Sequence, residues 1–293
     1  MTSQTADAAG CWRLGDLTVN RMGFGAMRLT ASAGGGPSDR DQVIGVLRRA
    51  RELGVNHIDT AAFYLSPLRS ANELINRALA PYPDDLVIAT KVGPGKDTWC
   101  NWTDPARPDQ LRGQVEENLR QLGRDRLDLV NLRVQDTGSL AERFGVLAGL
   151  REAGLIRQLG VSGVTPEQLG EARAIAPVVC VQNRYGTRAD PGEHEFLRAC
   201  GEQGIAYVPY FAIAGTARAR GGAGAVSDEE RAVAQAHGAS VPQVRLAWTL
   251  QRGPHVLAIP GTGDPGHLTE NIAAAALRLT SGEMTRLAST TMA

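Results

Sequence analysis

The sequence predicts an α/β chain folded as a single (β/α)8 barrel, and three observations predict it. Short apolar runs alternate with amphipathic helical stretches along the whole chain, and no linker-like break divides residues 1–293. Eight strand-plus-helix units can be counted; alternation implies a parallel sheet, and eight parallel strands in a chain of this length close most simply into a barrel. An open doubly wound sheet is the competitor, but it calls for a Gly-x-Gly-x-x-Gly turn after the first strand. Ala26-Met27-Arg28-Leu29-Thr30 stands there instead, and the run Gly34-Gly35-Gly36 lies too far on and reads as a loop.

The elements follow in order. Met1 to Gly10 is polar and is expected to be disordered. Trp12 to Asn20 carries the turn-like Gly15-Asp16 between apolar residues, which predicts a β-hairpin able to plug the barrel floor. The first barrel strand is read near Met22 to Ala26. Ser38 and Asp39 open a helix with Val43, Val46, Leu47 and Ala50 on one face, and Gly54 stops it. Further strands are read at Val55 to Asp59, Leu86 to Lys91, Leu127 to Arg133, Leu155 to Val161, Val178 to Asn183, Ile205 to Tyr210 and His255 to Ile259. Between them, Pro108 opens a helix with Leu111, Val115, Leu119 and Leu122 on its face and Gly123 at its end. Another holds Val146, Leu147 and Leu150 and closes at Gly154. Thr165-Pro166-Glu167-Gln168 is a capping box with proline in the first turn, and Ser240-Val241-Pro242-Gln243 repeats that chemistry.

Bulk properties narrow the function. The 31 basic residues balance 31 acidic ones, so the chain lacks the basic field that nucleic acid or an anionic membrane requires. The N-terminus has no signal pattern, and no run approaches the roughly 18 to 20 apolar residues of a membrane span. Cys11, Cys100, Cys180 and Cys200 are scattered without a CxxC pair, as expected of reduced thiols in a cytoplasmic protein without a zinc site. Cys180 lies in an apolar run and reads as core.

In a parallel barrel the reactive groups gather where strands end. Those ends carry Asp59, Lys91, Arg133, Ser162, Gln182 and Tyr210, and Tyr64 follows Asp59 by one short loop. A free phenol titrates near 10, too high for easy proton donation at neutral pH. A nearby ammonium favours the phenolate, and a carboxylate can keep that ammonium charged and in place. The tyrosine can then protonate a carbonyl oxygen while a hydride reaches the carbon. The alternative is a structural Asp59–Lys91 ion pair beside a surface tyrosine. His57 lies on the same side of its strand as Asp59, facing the interior, where it either tunes that pair or is a hydrogen-bonded core histidine. Trp99 and Trp102, after Lys91, either line a pocket for a flat aromatic substrate or anchor their loop.

Several ordered segments carry a resemblance. Gly54-Val55-Asn56-His57-Ile58-Asp59-Thr60-Ala61-Ala62-Phe63-Tyr64 resembles the signature of the aldo-keto reductases. So do Gly160-Val161-Ser162, Val181-Gln182-Asn183, Ile259-Pro260-Gly261-Thr262 and His267-Leu268-Thr269-Glu270-Asn271. Within that superfamily, Asp128-Leu129-Val130-Asn131-Leu132-Arg133-Val134, Val179 to Asn183 and Gly204 to Pro209 are similar to the bacterial pyridoxal reductase branch. The resemblance implies NADPH-dependent reduction of an aldehyde or ketone, possible use of NADH, and a small carbonyl substrate, pyridoxal-like in this branch. It implies Asp59, Tyr64, Lys91 and Arg133 as catalytic residues, with Tyr64 the general acid. Ser162 and Gln182 match groups that hold the nicotinamide carboxamide, and Tyr210 matches the aromatic on which the ring stacks. Ala26, Met27, Phe211, Ile213, Gly215 and Gly261 fall on the remaining cofactor contacts. Thr262, His267, Glu270 and Asn271 match the segment that grips the adenosine end. Met27, Tyr64, Trp99 and Trp102 are the candidate substrate pocket. A monomer or weak homo-oligomer is expected.

Four departures qualify this reading. Arg133 stands where the family has a catalytic histidine; it is always protonated, so it stabilises negative charge and, with Lys91, makes an unusually acidic Tyr64 the expectation. Its structural alternative is an arginine holding Asp128 or Asp136. Gly163 replaces an asparagine after Ser162. Leu65-Ser66-Pro67 replaces a glycine after Tyr64. After Tyr210 the chain runs through Ala212-Ile213-Ala214-Gly215 into a stretch from Thr216 to Ala225 rich in Gly, Ala and Arg, expected to be flexible. His267 gives less grip on a 2′-phosphate than arginine would. These changes leave two alternatives open: a tailoring ketoreductase of a sugar or polyketide-like metabolite, and a cofactor-binding regulatory protein with little turnover.

Overall fold

A computed structural model describes residues 5–31, 36, 38–97, 100–213 and 226–288. Cys11–Leu14 (β1) and Leu17–Asn20 (β2) pair as an antiparallel hairpin, as the Gly15-Asp16 turn predicts. Gly15 takes a φ of +66°, and a Cβ there would lie 2.6 Å from the Gln158 side chain, so the turn needs glycine twice over. Asp16 accepts from Arg157 at 2.7 Å and from Gln158 at 2.6 Å, which ties the hairpin to the barrel. Leu14, Leu17 and Val19 then pack against Val87, Ala89, Leu129, Cys180, Ala206 and Leu257 and fill the floor.

The barrel proper follows from Phe24–Gly25 (β3), Arg40–Glu52 (α1), His57–Asp59 (β4), the small hairpin Leu65–Ser66 (β5) and Arg69–Ser70 (β6), and Ala71–Leu79 (α2). It continues through Val87–Val92 (β7), Pro108–Leu122 (α3), Leu127–Arg133 (β8), Ala141–Glu152 (α4), Ile156–Ser162 (β9) and Pro166–Ile175 (α5). Cys180–Gln182 (β10), Pro191–Glu202 (α6), Ala206–Tyr207 (β11), Asp228–Ala236 (α7), Val241–Leu250 (α8), Pro265–Ala273 (α9) and Ser281–Ala288 (α10) complete it. Strands β3, β4, β7, β8, β9, β10 and β11 form one seven-stranded sheet, parallel throughout.

The eighth strand, read at His255 to Ile259, is too short for a ladder but bonds both sheet edges. Tyr207 N–H donates to His255 O and Leu257 N–H to Tyr207 O, each at 2.9 Å. On the other side Gly23 N–H donates to Ala258 O at 2.8 Å and Gly25 N–H to Pro260 O at 3.0 Å. A Cβ on Gly25 would come 2.5 Å from Ile259 O, so glycine lets the edges meet. The barrel is therefore closed, with one core inside it and a larger one between strands and helices.

Local chemistry explains the helix ends. Asp39 accepts from Gln42 N–H at 2.9 Å and starts α1, and Gly123 takes the left-handed conformation that ends α3. Thr165 and Gln168 form the predicted capping box of α5. Helix α7 has no counterpart in the sequence reading, although Ser227 and Glu230 form a capping box at its start. The expected disorder of residues 1–10 does not extend to residues 5–10: Ala6–Ala9 form a 3-10 turn, Ala6 is fully buried, and its N–H donates to Leu53 O at 2.8 Å. Residues 1–4 lie outside the described set, as do Gly215 and the stretch from Thr216 to Ala225. Among the described residues, no helix is long and apolar enough to cross a membrane.

Candidate active site

Strand alternation aims the central residues. Asp59 ends β4 and Lys91 lies near the end of the adjacent β7, with side chains facing the barrel interior. Their neighbours Thr60 and Thr90 are fully buried and bond the helix layer instead. Thr60 Oγ1 donates to Asn72 Oδ1 at 2.7 Å, Asn72 Nδ2 donates to Asn118 Oδ1 at 3.0 Å, and Thr90 Oγ1 donates to Asn118 Oδ1 at 2.5 Å. This buried amide network fixes both strand ends from behind, and the sequence reading missed it.

Lys91 Nζ donates to Asp59 Oδ1 at 2.8 Å and Oδ2 at 2.6 Å, and to Thr60 O at 3.0 Å. It also stands 4.8 Å from the centre of the Tyr64 ring. The three groups are thus brought together. Burial opposes the Lys91 charge, but Asp59 and Tyr64 together more than offset it and the ammonium titrates above its ordinary value. Tyr64 goes the other way from the expectation. Burial raises its pKa above 10.0, and the opposing fields of Lys91 and Arg133 do not reverse this. Burial is the largest influence, and the Asp59 carboxylate adds to it against the field of Lys91. The phenol is held in its protonated form.

The loop after Tyr64 is built, not loose. Strands β5 and β6 pair, Ala71 N–H donates to Tyr64 O at 2.9 Å, and Lys96 Nζ donates to Leu65 O at 3.2 Å. The glycine replaced by Leu65 is therefore not needed to hold the tyrosine. The Phe63 ring meets Tyr64 at 5.3 Å and Trp102 at 5.7 Å, both edge-on, and Lys96 Nζ lies 4.9 Å from the Trp102 ring. Phe63, which the sequence reading did not single out, joins Trp102 to the site. Trp102 is 61% exposed and Met27 41% exposed; Trp99 lies outside the described residues.

Arg133 ends β8 with neither Asp128 nor Asp136 as its partner. Arg124 holds Asp128 at 2.9 Å, and Arg143 holds Asp136 at 3.0 Å. Arg133 Nη1 instead donates to Ser162 Oγ at 3.2 Å and to Tyr210 Oη at 3.0 Å. Its guanidinium carbon lies 4.9 Å from the Tyr210 ring centre. Gln182 Nε2 donates to Asp59 Oδ1 at 2.8 Å, so it also braces the carboxylate, while its buried Oε1 has no partner among the described residues. His57 is buried with Nδ1 unbonded among the described residues, which corrects the reading of a hydrogen-bonded core histidine. Burial lowers its pKa to about 4 and keeps it neutral.

The other described candidate cofactor residues lie in turns and loops and on α9. Ala26 is buried in the 3-10 turn Ala26–Arg28 that follows β3, next to Met27. Gly261 approaches Gly25 so closely that a Cβ on it would lie 2.1 Å from Gly25 O. Thr262 is buried and accepts from Asp264 N–H at 3.0 Å. Asp264 caps α9, on whose first turns His267 and Glu270 are exposed and Asn271 is buried. Phe211 takes a φ of +64°, and Ile213 O accepts from Arg245 at 2.6 Å. Arg245 in turn grips Glu230 at 2.6 and 2.8 Å.

This geometry has known counterparts. A model of the aldo/keto reductase family matches residues 21–291. The chain is 42% identical over 288 residues to pyridoxine 4-dehydrogenase of Escherichia coli (strain K12), covering 96% of this chain and 98% of that protein. It is 38% identical over 284 residues to an uncharacterized oxidoreductase of Schizosaccharomyces pombe, covering 96% and 90%. Among solved structures, the thermostable aldo-keto reductase Tm1743, in complex with epalrestat, superposes with a TM-score of 0.77 at 30% identity, over 94% of this chain and 96% of that one. The aldo-keto reductase of Klebsiella pneumoniae in complex with NADPH superposes with a TM-score of 0.75 at 27% identity, over 92% and 90%. The chain belongs to the aldo/keto reductase family and is an NAD(P)H-dependent carbonyl reductase.

Proposed function

We propose that this protein reduces a flat aromatic aldehyde of the pyridoxal kind to its alcohol with NADPH, and that Tyr64 donates the proton. The observation that carries the reading is Lys91 Nζ, held by both Asp59 oxygens and 4.8 Å from the Tyr64 ring centre. The protonated phenol delivers its proton to the carbonyl oxygen, and the Lys91 ammonium stabilises the phenolate that remains. Asp59 keeps that ammonium charged in a buried place. Arg133 adds a fixed positive charge on the same side of the barrel.

NADPH, when bound, supplies the hydride to the carbonyl carbon. The residues fit it. The unpartnered, buried Oε1 of Gln182 is an acceptor that a carboxamide NH2 would satisfy. Ser162 Oγ already accepts from Arg133, and its own hydrogen is left to donate. The half-buried Tyr210 ring, flanked by Phe211 at 5.1 Å, offers a stacking face. Ala26, Met27, Ile213 and Gly261 would flank the cofactor. Thr262, His267, Glu270 and Asn271 would hold the adenosine end, where the N-terminal dipole of α9 favours a phosphate. NADPH is preferred over NADH because the Klebsiella pneumoniae relative was crystallised with NADPH.

The pyridoxal-like substrate is supported by the name of the 42% identical Escherichia coli relative and by the Phe63–Trp102 aromatic wall beside Tyr64. Oxidation of NADPH against a panel of aromatic and aliphatic aldehydes and ketones tests it. Pyridoxal should exceed an aliphatic aldehyde by at least about tenfold in kcat/KM, the discrimination an apolar pocket supplies. Turnover of aliphatic aldehydes alone would overturn the substrate, and no turnover of any carbonyl would overturn the reaction.

A further inference from the structure

Arg133 and Gly163 lie against each other at the rim of the site. A Cβ on residue 163 would lie 2.8 Å from Arg133 Nη1, 3.1 Å from Arg133 Cζ and 2.7 Å from Val134 O. Gly163 also has a φ of +72°. The backbone there has no room to retreat. Gly163 N–H and Val164 N–H donate to Asn183 Oδ1 at 2.8 and 3.1 Å, and Asn183 Nδ2 donates to Val164 O at 2.7 Å. The main chain of residue 133 is held closely too, since a Cβ on Gly93 would lie 2.4 Å from Arg133 O. The guanidinium and the Val134 carbonyl therefore fill the space a side chain at 163 would need, and from that place Nη1 of Arg133 reaches both Ser162 Oγ and Tyr210 Oη.

We infer that Arg133 and Gly163 form one device, in which Arg133 is a positioning residue that fixes Ser162 and Tyr210 as the nicotinamide seat and Gly163 supplies the gap its guanidinium occupies. This rests on the reading that Ser162 and Tyr210 hold the nicotinamide. A side chain at 163 would press on the guanidinium as well as on the Val134 carbonyl.

A double-mutant cycle tests it, with NADPH Kd from quenching of protein fluorescence and with Tm as a second readout. Asn suits position 163 because it tolerates a positive φ, so Gly163→Asn probes the clash more than the backbone. Gly163→Asn and Arg133→Ala should each raise the NADPH Kd about tenfold, since each removes the same two charge-assisted hydrogen bonds. The double variant should stay near that tenfold, and its Tm loss should be smaller than the sum of the two single losses, since only the contact with Val134 O persists without the arginine. A double variant about a hundredfold weaker, or additive losses in Tm, would mean independent sites and overturn the proposal; so would an unchanged Kd in both single variants. Tyr210→Ala in the same titration separates the two levels of the argument. An unchanged NADPH Kd there removes the nicotinamide seat, and with it the positioning role, while the melting cycle still decides whether Arg133 and Gly163 are coupled.

Discussion

Lys91 Nζ bonds both oxygens of Asp59, at 2.8 and 2.6 Å, across adjacent parallel strands inside the barrel. Neither charge is tolerable there alone, because an unpaired buried ion costs several kcal/mol. Asp59→Asn should therefore act on both stability and rate. Urea denaturation should show a loss of about 3 kcal/mol at neutral pH, in line with broken buried pairs. The reductase rate should fall at least about a hundredfold, as for loss of an aid to general acid catalysis. Unchanged stability would show that the pair is solvated.

The direction of the Tyr64 shift sets the pH profile of the reaction. Burial raises the phenol pKa, so the donor form persists through neutral pH and beyond the ordinary phenol value of 10.0. Reduction should show no loss of kcat/KM from Tyr64 below about pH 10, whereas alcohol oxidation, which needs the phenolate, should still be rising there. A falling limb of reduction near pH 8 that Tyr64→Phe abolishes would contradict this.

His57 gives a separate pH dependence, in stability. Its folded pKa is depressed to about 4 by burial, below the 6.5 of an unfolded histidine. Between those values the unfolded chain binds the extra proton, so stability should fall as pH drops from 6.5 to about 4. The contribution is roughly 3 kcal/mol over that window. His57→Gln should flatten the slope of the urea midpoint between pH 6.5 and 4.5, and an identical slope in both proteins would show that His57 is charged when folded.

The barrel, the floor hairpin and the rim set Asp59, Lys91, Arg133, Ser162, Gln182 and Tyr210 were legible because strand spacing and strand ends are local properties of a sequence. The outer braces were not. Thr60, Asn72, Asn118 and Thr90 come together from separate elements and leave no periodic trace. The partner of Arg133 was equally hidden, since Asp128 is taken by Arg124, four residues before it on the chain. The sign of the Tyr64 shift depends on burial and on the Asp59 carboxylate acting against Lys91, and both are three-dimensional. Strand lengths were overestimated at β10 and β11, where apolar residues continue past the bonded ladder.

Arg245 and Glu230 form a second buried pair, and Arg245 also bonds Ile213 O beyond Tyr210. Arg245→Met leaves Glu230 buried without that partner. Stability should drop by about 3 to 5 kcal/mol in chemical denaturation, the cost of breaking a buried pair from one side. A loss below 1 kcal/mol would show that water replaces the arginine.

The central claim is that Tyr64 is the proton donor, and the most direct measurement is single-turnover NADPH oxidation by Tyr64→Phe with pyridoxal. The phenylalanine keeps the ring against Phe63 and removes only the hydroxyl, so NADPH should still quench protein fluorescence with nearly the wild-type Kd. The chemical step should slow by about 100- to 10,000-fold, the usual contribution of a positioned general acid. A Tyr64→Phe protein that turns over at the wild-type rate would contradict the account.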